Sequence, residues 1–251
     1  MNLADVRSRL KDNLASVEAR IAAACARAKR KRDEVTLVAV TKYVSSDVAA
    51  LLPELGVLDL GESRPQELWR KAAALPKQVR WHLVGHLQRN KVERTLPLVH
   101  LIHSVDSVRL LQEVQGACTS PTADENFPRH PSVLLEFNLS GEPTKHGIAP
   151  TDRETIIKLA EIQTSDDGLY ITGLMTMAAE STDPELSRPT FAALRKLRDE
   201  LPSRLPYTVW FDTKELSMGM SHDFEVAIEE GATLIRIGSA LFKGIPQEAA
   251  P

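Results

Sequence analysis

The stretch VTLVAVTKYVSSD, Val35 to Asp47, decides how the rest of the chain is read. Val35, Leu37, Val38 and Val40 make a run that is apolar on both faces, as expected of a strand in a parallel sheet covered by helices. Lys42 stands just past its end. Ser45 or Ser46 can cap a helix that Asp47 enters in its first turn. A lysine so placed looks into whatever site the carboxyl ends of the strands create.

Working outward, the same unit recurs. Leu3, Val6, Leu10, Leu14, Val17, Ile21 and Ala24 step by three and four, which predicts a long amphipathic helix over about residues 3–31 ahead of the first strand. The helix after Lys42 runs to about Leu55 and ends at Gly56. Val57 to Leu60 is a second strand, opening into GESRPQEL, where Ser63 and Gln66 have capping-box spacing. Strands follow at Val79 to Gly85 and Leu98 to Ile102, the latter leading to HSVDS with Asp106 placed to cap the next helix. Cys118 to Pro131 reads as a polar surface loop. Val133 to Leu139 is the fifth strand, and Thr151 and Glu154 pair as another capping box. Tyr170 to Met175 is the sixth, after which Asp183 and Pro184 suit N-cap and N1 of a helix reaching about Leu201. The seventh strand lies either at Tyr207 to Phe211 or at Leu216 with its neighbours; Thr233 to Ile237 is the eighth. Eight alternations in 251 residues predict an α/β fold with a single domain over 1–251, a (β/α)8 barrel over about 35–244. No GxGxxG follows an early strand, so a dinucleotide-binding sheet is disfavoured.

Composition narrows the function classes. A formal charge of −3 argues against nonspecific nucleic-acid binding, and the basic run Arg27 to Arg32 reads first as favourable charge at a helix C-terminus. Cys25 and Cys118 stand far apart without metal-ligand neighbours, so neither zinc nor a disulfide framework is expected. His82 and His86 lack an HExxH pattern and predict no metal site. No signal peptide or membrane-length apolar run occurs, which places the protein in the cytoplasm.

In a barrel the strand ends share one rim. The expected rim set is Lys42, Glu62, His82, His86, His103, Asn138, Met175, Ser217 and Arg236. Lys42 can form a Schiff base with an aldehyde, helped by partial burial and by Arg236 as a positive neighbour. Ser217, Gly219 and Ser221 before one helix, and Gly238 with Ser239 after the last strand, offer backbone N–H groups and hydroxyls suited to a phosphate. Together these pieces suggest a phosphorylated carbonyl ligand.

The motifs VAVTK, GESRPQEL, WHLVGHLQRNK, HSVDS, FNLSGEPTKHG, GLMTMA and LSMGMSHDFEVAIEEGATLIRIGSALF, spread from about Val35 to Phe242, resemble the YggS/PROSC family of pyridoxal 5'-phosphate homeostasis proteins. That family is similar to the barrel domain of alanine racemase and other fold type III enzymes. The resemblance implies pyridoxal 5'-phosphate (PLP) held covalently on Lys42, Arg236 at the pyridine nitrogen, and a phosphate site including Ser217, Ser221, Gly238 and Ser239. Asn138 and Met175 are implied near the ring. It further implies a monomer that passes PLP to PLP-dependent apoenzymes, with no catalytic residues, no metal, no membrane and no nucleic acid. The chain ends at Pro251, leaving no room for the second domain that supplies a tyrosine in the racemases, although Tyr43, Tyr170 and Tyr207 are at hand. An amino-acid racemase is therefore the alternative, and an RNA-binding scaffold using Arg27 to Arg32 a third reading. The chain departs from the usual family pattern in GESRPQE, in FKG and in VTKYV.

Overall fold

A computed structural model describes residues 1–119, 131–142, 146–163, 169–205 and 213–248. Eight strands close into a parallel barrel in chain order: β1 Thr36–Val40, β2 Asp59–Glu62, β3 Arg80–Leu83, β4 Leu101–Val105, β5 Ser132–Glu136, β6 Tyr170–Met175, β7 Glu215–Ser217 and β8 Leu234–Ile237. The last closes on the first in the register Val38 to Arg236. The helices are α1 Leu3–Arg27, α2 Ser46–Ala49, α3 Leu51–Glu54, α4 Pro65–Ala74, α5 Val92–Thr95, α6 Val108–Thr119, α7 Arg153–Gln163, α8 Arg188–Arg204 and α9 Phe224–Glu229. The seventh strand is the one containing Leu216; Tyr207 to Phe211 lies outside the described residues, as does most of the expected loop between Cys118 and Pro131.

Alternation along each strand sorts side chains into two layers. Leu37, Ala39, Leu60, Trp81, Leu83, Leu135, Leu216 and Ile235 pack outward against the helices in the main core. Val38, Leu101, Leu134, Met175 and Leu234 form a separate cluster inside the barrel. Gly61 also faces inward, where a Cβ would lie 3.0 Å from Val38 Cγ1.

Strand edges move relative to the pattern-based reading. β2 starts two residues later, so that Glu62 belongs to it, and β4 starts at Leu101 because Leu96–Leu98, with Pro97, forms a 3-10 turn. Caps shift as well. Ser45 caps α2 through Val48 N–H at 3.3 Å, and Asp183 caps the 3-10 turn Pro184–Ser187 that leads into α8. However, Arg64 rather than Ser63 precedes α4, whose N1 is Pro65 and needs no donor satisfied. Asp152 rather than Thr151 accepts from Thr155 N–H, at 3.1 Å. Ser107 rather than Asp106 faces the Leu110 N–H, at 3.4 Å.

The long first helix is capped by Asn2 and Asp5 reciprocally. It stops at Arg27, earlier than residue 31, in a Schellman turn: Arg30 N–H reaches Cys25 O at 2.9 Å and Lys29 N–H reaches Ala26 O at 3.1 Å, with Lys29 at φ 55°. The three arginines of the basic run are spent on structure. Arg27 pairs with Glu229 at 2.7 Å, Arg32 with Glu18 at 2.8 Å, and Arg30 Nη1 donates to Ile228 O and Ala232 O at 2.9 and 2.7 Å. The cation therefore satisfies carbonyls at the C-terminus of α9 instead of serving its own helix. Arg20 to Glu225 and Asn13 to the carbonyls of Leu241 and Lys243 complete the strap across the β8–β1 side.

One ion pair fixes the exit of β1. Glu62 faces α4 instead of the barrel mouth, and Lys71 Nζ donates to its Oε1 at 2.5 Å and to Thr41 O at 2.7 Å. Thr41 Oγ1 donates to the same Oε1 at 2.7 Å, whereas Oε2 is buried without a partner among the described residues. Lys71 is only 1% exposed and Glu62 0%. Removing one member of a buried pair strands the other's charge, so Lys71→Met is expected to cost about 3–5 kcal/mol in urea unfolding, with Glu62→Leu/Lys71→Met recovering most of it. A single-variant loss under about 1 kcal/mol, as for a surface pair, contradicts this account.

Candidate functional site

The carboxyl-terminal mouth of the barrel gathers Lys42, Glu136, Met175 and Arg236 from the inner faces of β1, β5, β6 and β8 or just beyond them. Lys42 lies in the turn after β1, closed by Val44 N–H on Thr41 O at 3.1 Å. It is exposed, in contrast to the expected partial burial, and its Nζ sits 4.9 Å from the centre of the Tyr43 ring. The Tyr43 carbonyl in turn accepts from Glu248 N–H at 2.8 Å, so the last described residues brace this turn.

Arg236 is 4% exposed. Nη1 donates to Ser217 Oγ at 2.6 Å and Nη2 to Thr176 O at 3.1 Å. Burial pushes its guanidinium down to about 10, against the opposing pull of the Glu136 and Asp223 carboxylates. Two of the five N–H bonds of a guanidinium are thereby accounted for.

The phosphate-like nests differ from each other. Ser221 Oγ accepts from Gly238 N–H at 3.3 Å and Ala240 N–H at 3.1 Å, which joins the loop after β7 to the turn after β8. Gly219 at φ 90° is required there, since a Cβ would lie 2.5 Å from Ala227 Cβ. Ser239 is exposed at the same turn. Ser217, by contrast, points into the barrel, committed to Arg236 and, at 2.8 Å, to His103 Nδ1. The Asn138 amide donates to Glu142 O at 2.8 Å and accepts from Ser140 at 3.1 Å, bracing its own loop.

Two expected rim histidines are not at the rim. His82 and His103 lie inside the barrel, 2.9 Å apart, with His82 Nε2 3.0 Å from Asp59 Oδ1. Strand alternation places them inward at mid-strand, a position that the motif WHLVGH does not distinguish from a strand exit. His86 does reach the rim, stacked on His146 at 5.0 Å, with Asp106 Oδ2 3.4 Å from its Nδ1. This pairing occupies the carboxylate that the sequence assigned to a helix cap.

Glu136 was missed by sequence reasoning. It closes β5 pointing inward, is 5% exposed and has no hydrogen-bond partner for its carboxyl among the described residues. Burial pushes the carboxyl up to about 7; Asp106 adds to the rise, while Arg236 and His146 oppose it. Between about pH 4.3, the ordinary glutamate value, and about 7 the folded chain keeps a proton that the unfolded chain gives up. Its contribution is thus fully present at low pH and is lost as pH rises through that window. Unfolding free energies measured across it are expected to decline in the wild type and to decline less in Glu136→Gln; parallel curves refute the assignment.

The family model for the alanine racemase N-terminal domain matches residues 12–246. A pyridoxal phosphate homeostasis protein of Aquifex aeolicus is 40% identical over 232 residues, covering 92% of this chain and 96% of that protein. The human protein of the same name is 35% identical over 86% of this chain and 80% of its own. Among solved structures, PipY of Synechococcus elongatus with PLP bound has a TM-score of 0.76 at 30% identity, covering 93% of this chain and 99% of that one. An alanine racemase of Clostridium difficile, at 15% identity and a TM-score of 0.70, shares the fold. The chain belongs to the alanine racemase N-terminal domain family, on the branch of the pyridoxal phosphate homeostasis proteins.

Proposed function

We propose that this chain binds PLP at the barrel mouth and serves PLP homeostasis, holding the cofactor on Lys42 and releasing it to apoenzymes without turnover of its own. The observation that carries the reading is the pairing of β8 with β1, which sets the buried Arg236 opposite Val38, four residues before the exposed Lys42 on the same inner face. A guanidinium that stays charged is a donor and never a proton source for a ring nitrogen. The residues present fit a phosphorylated pyridine aldehyde: an accessible amine, a buried donor, and a turn whose backbone N–H groups already converge on one oxygen, Ser221 Oγ.

In this reading the Lys42 amine condenses with the aldehyde with loss of one water, and water reverses the step for release. The bound group supplies an electrophilic imine carbon and an electron-withdrawing ring. Arg236 orients the ring nitrogen; Ser221, Gly238 and Ser239 hold the phosphate; Asn138 and Met175 flank the ring; Ser217 acts from behind Arg236. The protein works as a cytoplasmic monomer. Carriage rather than catalysis is supported by the names of its relatives. Of the tyrosines, Tyr170 opens β6 at the opposite end of the barrel and Tyr43 lies beside Lys42, while Tyr207 lies outside the described residues.

Borohydride reduction of PLP-loaded protein followed by peptide mass spectrometry is expected to mark Lys42, and Lys42→Ala is expected to lose the visible imine band; a mark on another lysine overturns the assignment. Ser221→Ala should weaken PLP retention about tenfold or more, the effect of losing one hydrogen bond to a charged group. A chiral assay across the common amino acids separates carrier from racemase. Sustained Lys42-dependent turnover at about 1 per second or faster favours the enzyme.

A further inference from the structure

The barrel interior carries a continuous polar chain that an inert packed core does not need. Arg80 Nε donates to Asp59 Oδ1 at 2.7 Å, and that oxygen lies 3.0 Å from His82 Nε2. His82 Nδ1 lies 2.9 Å from His103 Nε2, His103 Nδ1 lies 2.8 Å from Ser217 Oγ, and Arg236 Nη1 donates to that oxygen at 2.6 Å. β4 and β7 are separated by β5 and β6, so the bond from His103 to Ser217 crosses the lumen. His82, His103, Ser217 and Arg236 are each at most 4% exposed.

Donor and acceptor roles follow from the two ends. Desolvation pushes the Asp59 carboxyl up, but hydrogen bonds from His82 and Arg80 outweigh it and hold the group ionised, hence an acceptor only. His82 must then carry its proton on Nε2, which leaves Nδ1 as an acceptor when the ring is neutral. His103 therefore donates from Nε2 and accepts at Nδ1. Burial, with the Arg236 guanidinium as a positive neighbour, keeps His103 neutral by lowering its affinity for a second proton. The single Ser217 proton goes to His103, and only lone pairs face Arg236. Every hydrogen in the chain points from Arg236 toward Asp59.

We propose that Asp59, His82, His103 and Ser217 form a one-way hydrogen-bond relay that orients Arg236, making His103 a positioning residue for the cofactor's ring nitrogen. This rests on the PLP reading above. The relay turns Ser217 into an obligate acceptor, which together with Thr176 O fixes the plane of the guanidinium and keeps its remaining N–H edge available. A buried network is worth its desolvation only if every member is satisfied, so the links stand or fall together. Apolar residues would fill the same space at less risk, as Val38, Leu101 and Leu134 do beside it.

Two arms test the relay. In the free chain, nitrogen NMR of the imidazoles at neutral pH should show both His82 and His103 as neutral Nε2–H tautomers; an Nδ1–H or doubly protonated His103 overturns the relay whether or not PLP binds. In the second arm PLP is titrated into wild type, His103→Gln, His103→Leu and Ser217→Ala, with circular dichroism confirming the fold. His103→Leu and Ser217→Ala are expected to weaken PLP binding about tenfold and to displace the pH midpoint of the visible band. His103→Gln, which can still accept and donate, is expected to restore both toward wild type. Wild-type affinity and midpoint in a folded Ser217→Ala or His103→Leu protein overturn the relay, as does failure of His103→Gln to restore either. If wild type itself takes up no PLP, the functional reading fails and the tautomers alone decide the relay.

Discussion

Closure of β8 onto β1 is the constraint on which the rest depends. Lys42 and Arg236 stand near opposite ends of the chain, and only the parallel pairing of Thr36–Val40 with Leu234–Ile237 brings them to one mouth. An open sheet with the same strands would leave them on opposite edges. The first helix and the turn that ends it lie over this closure through Asn13, Arg20, Arg27 and Arg30, each reaching α9 or the turn after β8. The arginines of the basic stretch thus have a mechanical duty, and their charge is matched within the fold.

The barrel interior combines two kinds of order. Val38, Leu101, Leu134, Met175 and Leu234 fill space without directional demands. The aspartate, histidines, serine and arginine beside them impose direction, because each proton position limits the next. Such a core tolerates few substitutions singly, yet it holds one charged side chain in a defined orientation where an oily core cannot. The outward layer has a counterpart in Thr41, Glu62 and Lys71, which secure the backbone immediately before Lys42.

The barrel was legible because its strands are buried on both faces and its helices recur at regular spacing; Val35 to Val40 and Tyr170 to Met175 land within a residue of β1 and β6. The placement of Lys42 and Arg236 at the barrel mouth was legible, and the family resemblance is matched by the relatives found. Side-chain direction was not. A completely apolar-looking parallel strand hides its parity, so His82 and His103 read as rim residues and Glu62 as facing the mouth. Capping assignments at Asp106 and Thr151 failed because neighbouring residues could serve as well, the choice being made by tertiary placement, as with Asp106 held by His86; the one at Ser63 failed because α4 begins at Pro65 without a side-chain cap.

The two lysines associated with the first strand present a contrast in chemical accessibility. Lys71 is enclosed at 1% exposure, its ammonium engaged by the Thr41 carbonyl and Glu62, while Lys42, one residue beyond that carbonyl, stands open. An amine must present a lone pair to an incoming aldehyde along an unobstructed trajectory. On the proposed reading, access separates these two amines before intrinsic reactivity enters: of the pair, Lys71 is sequestered and Lys42 is the one open to an aldehyde.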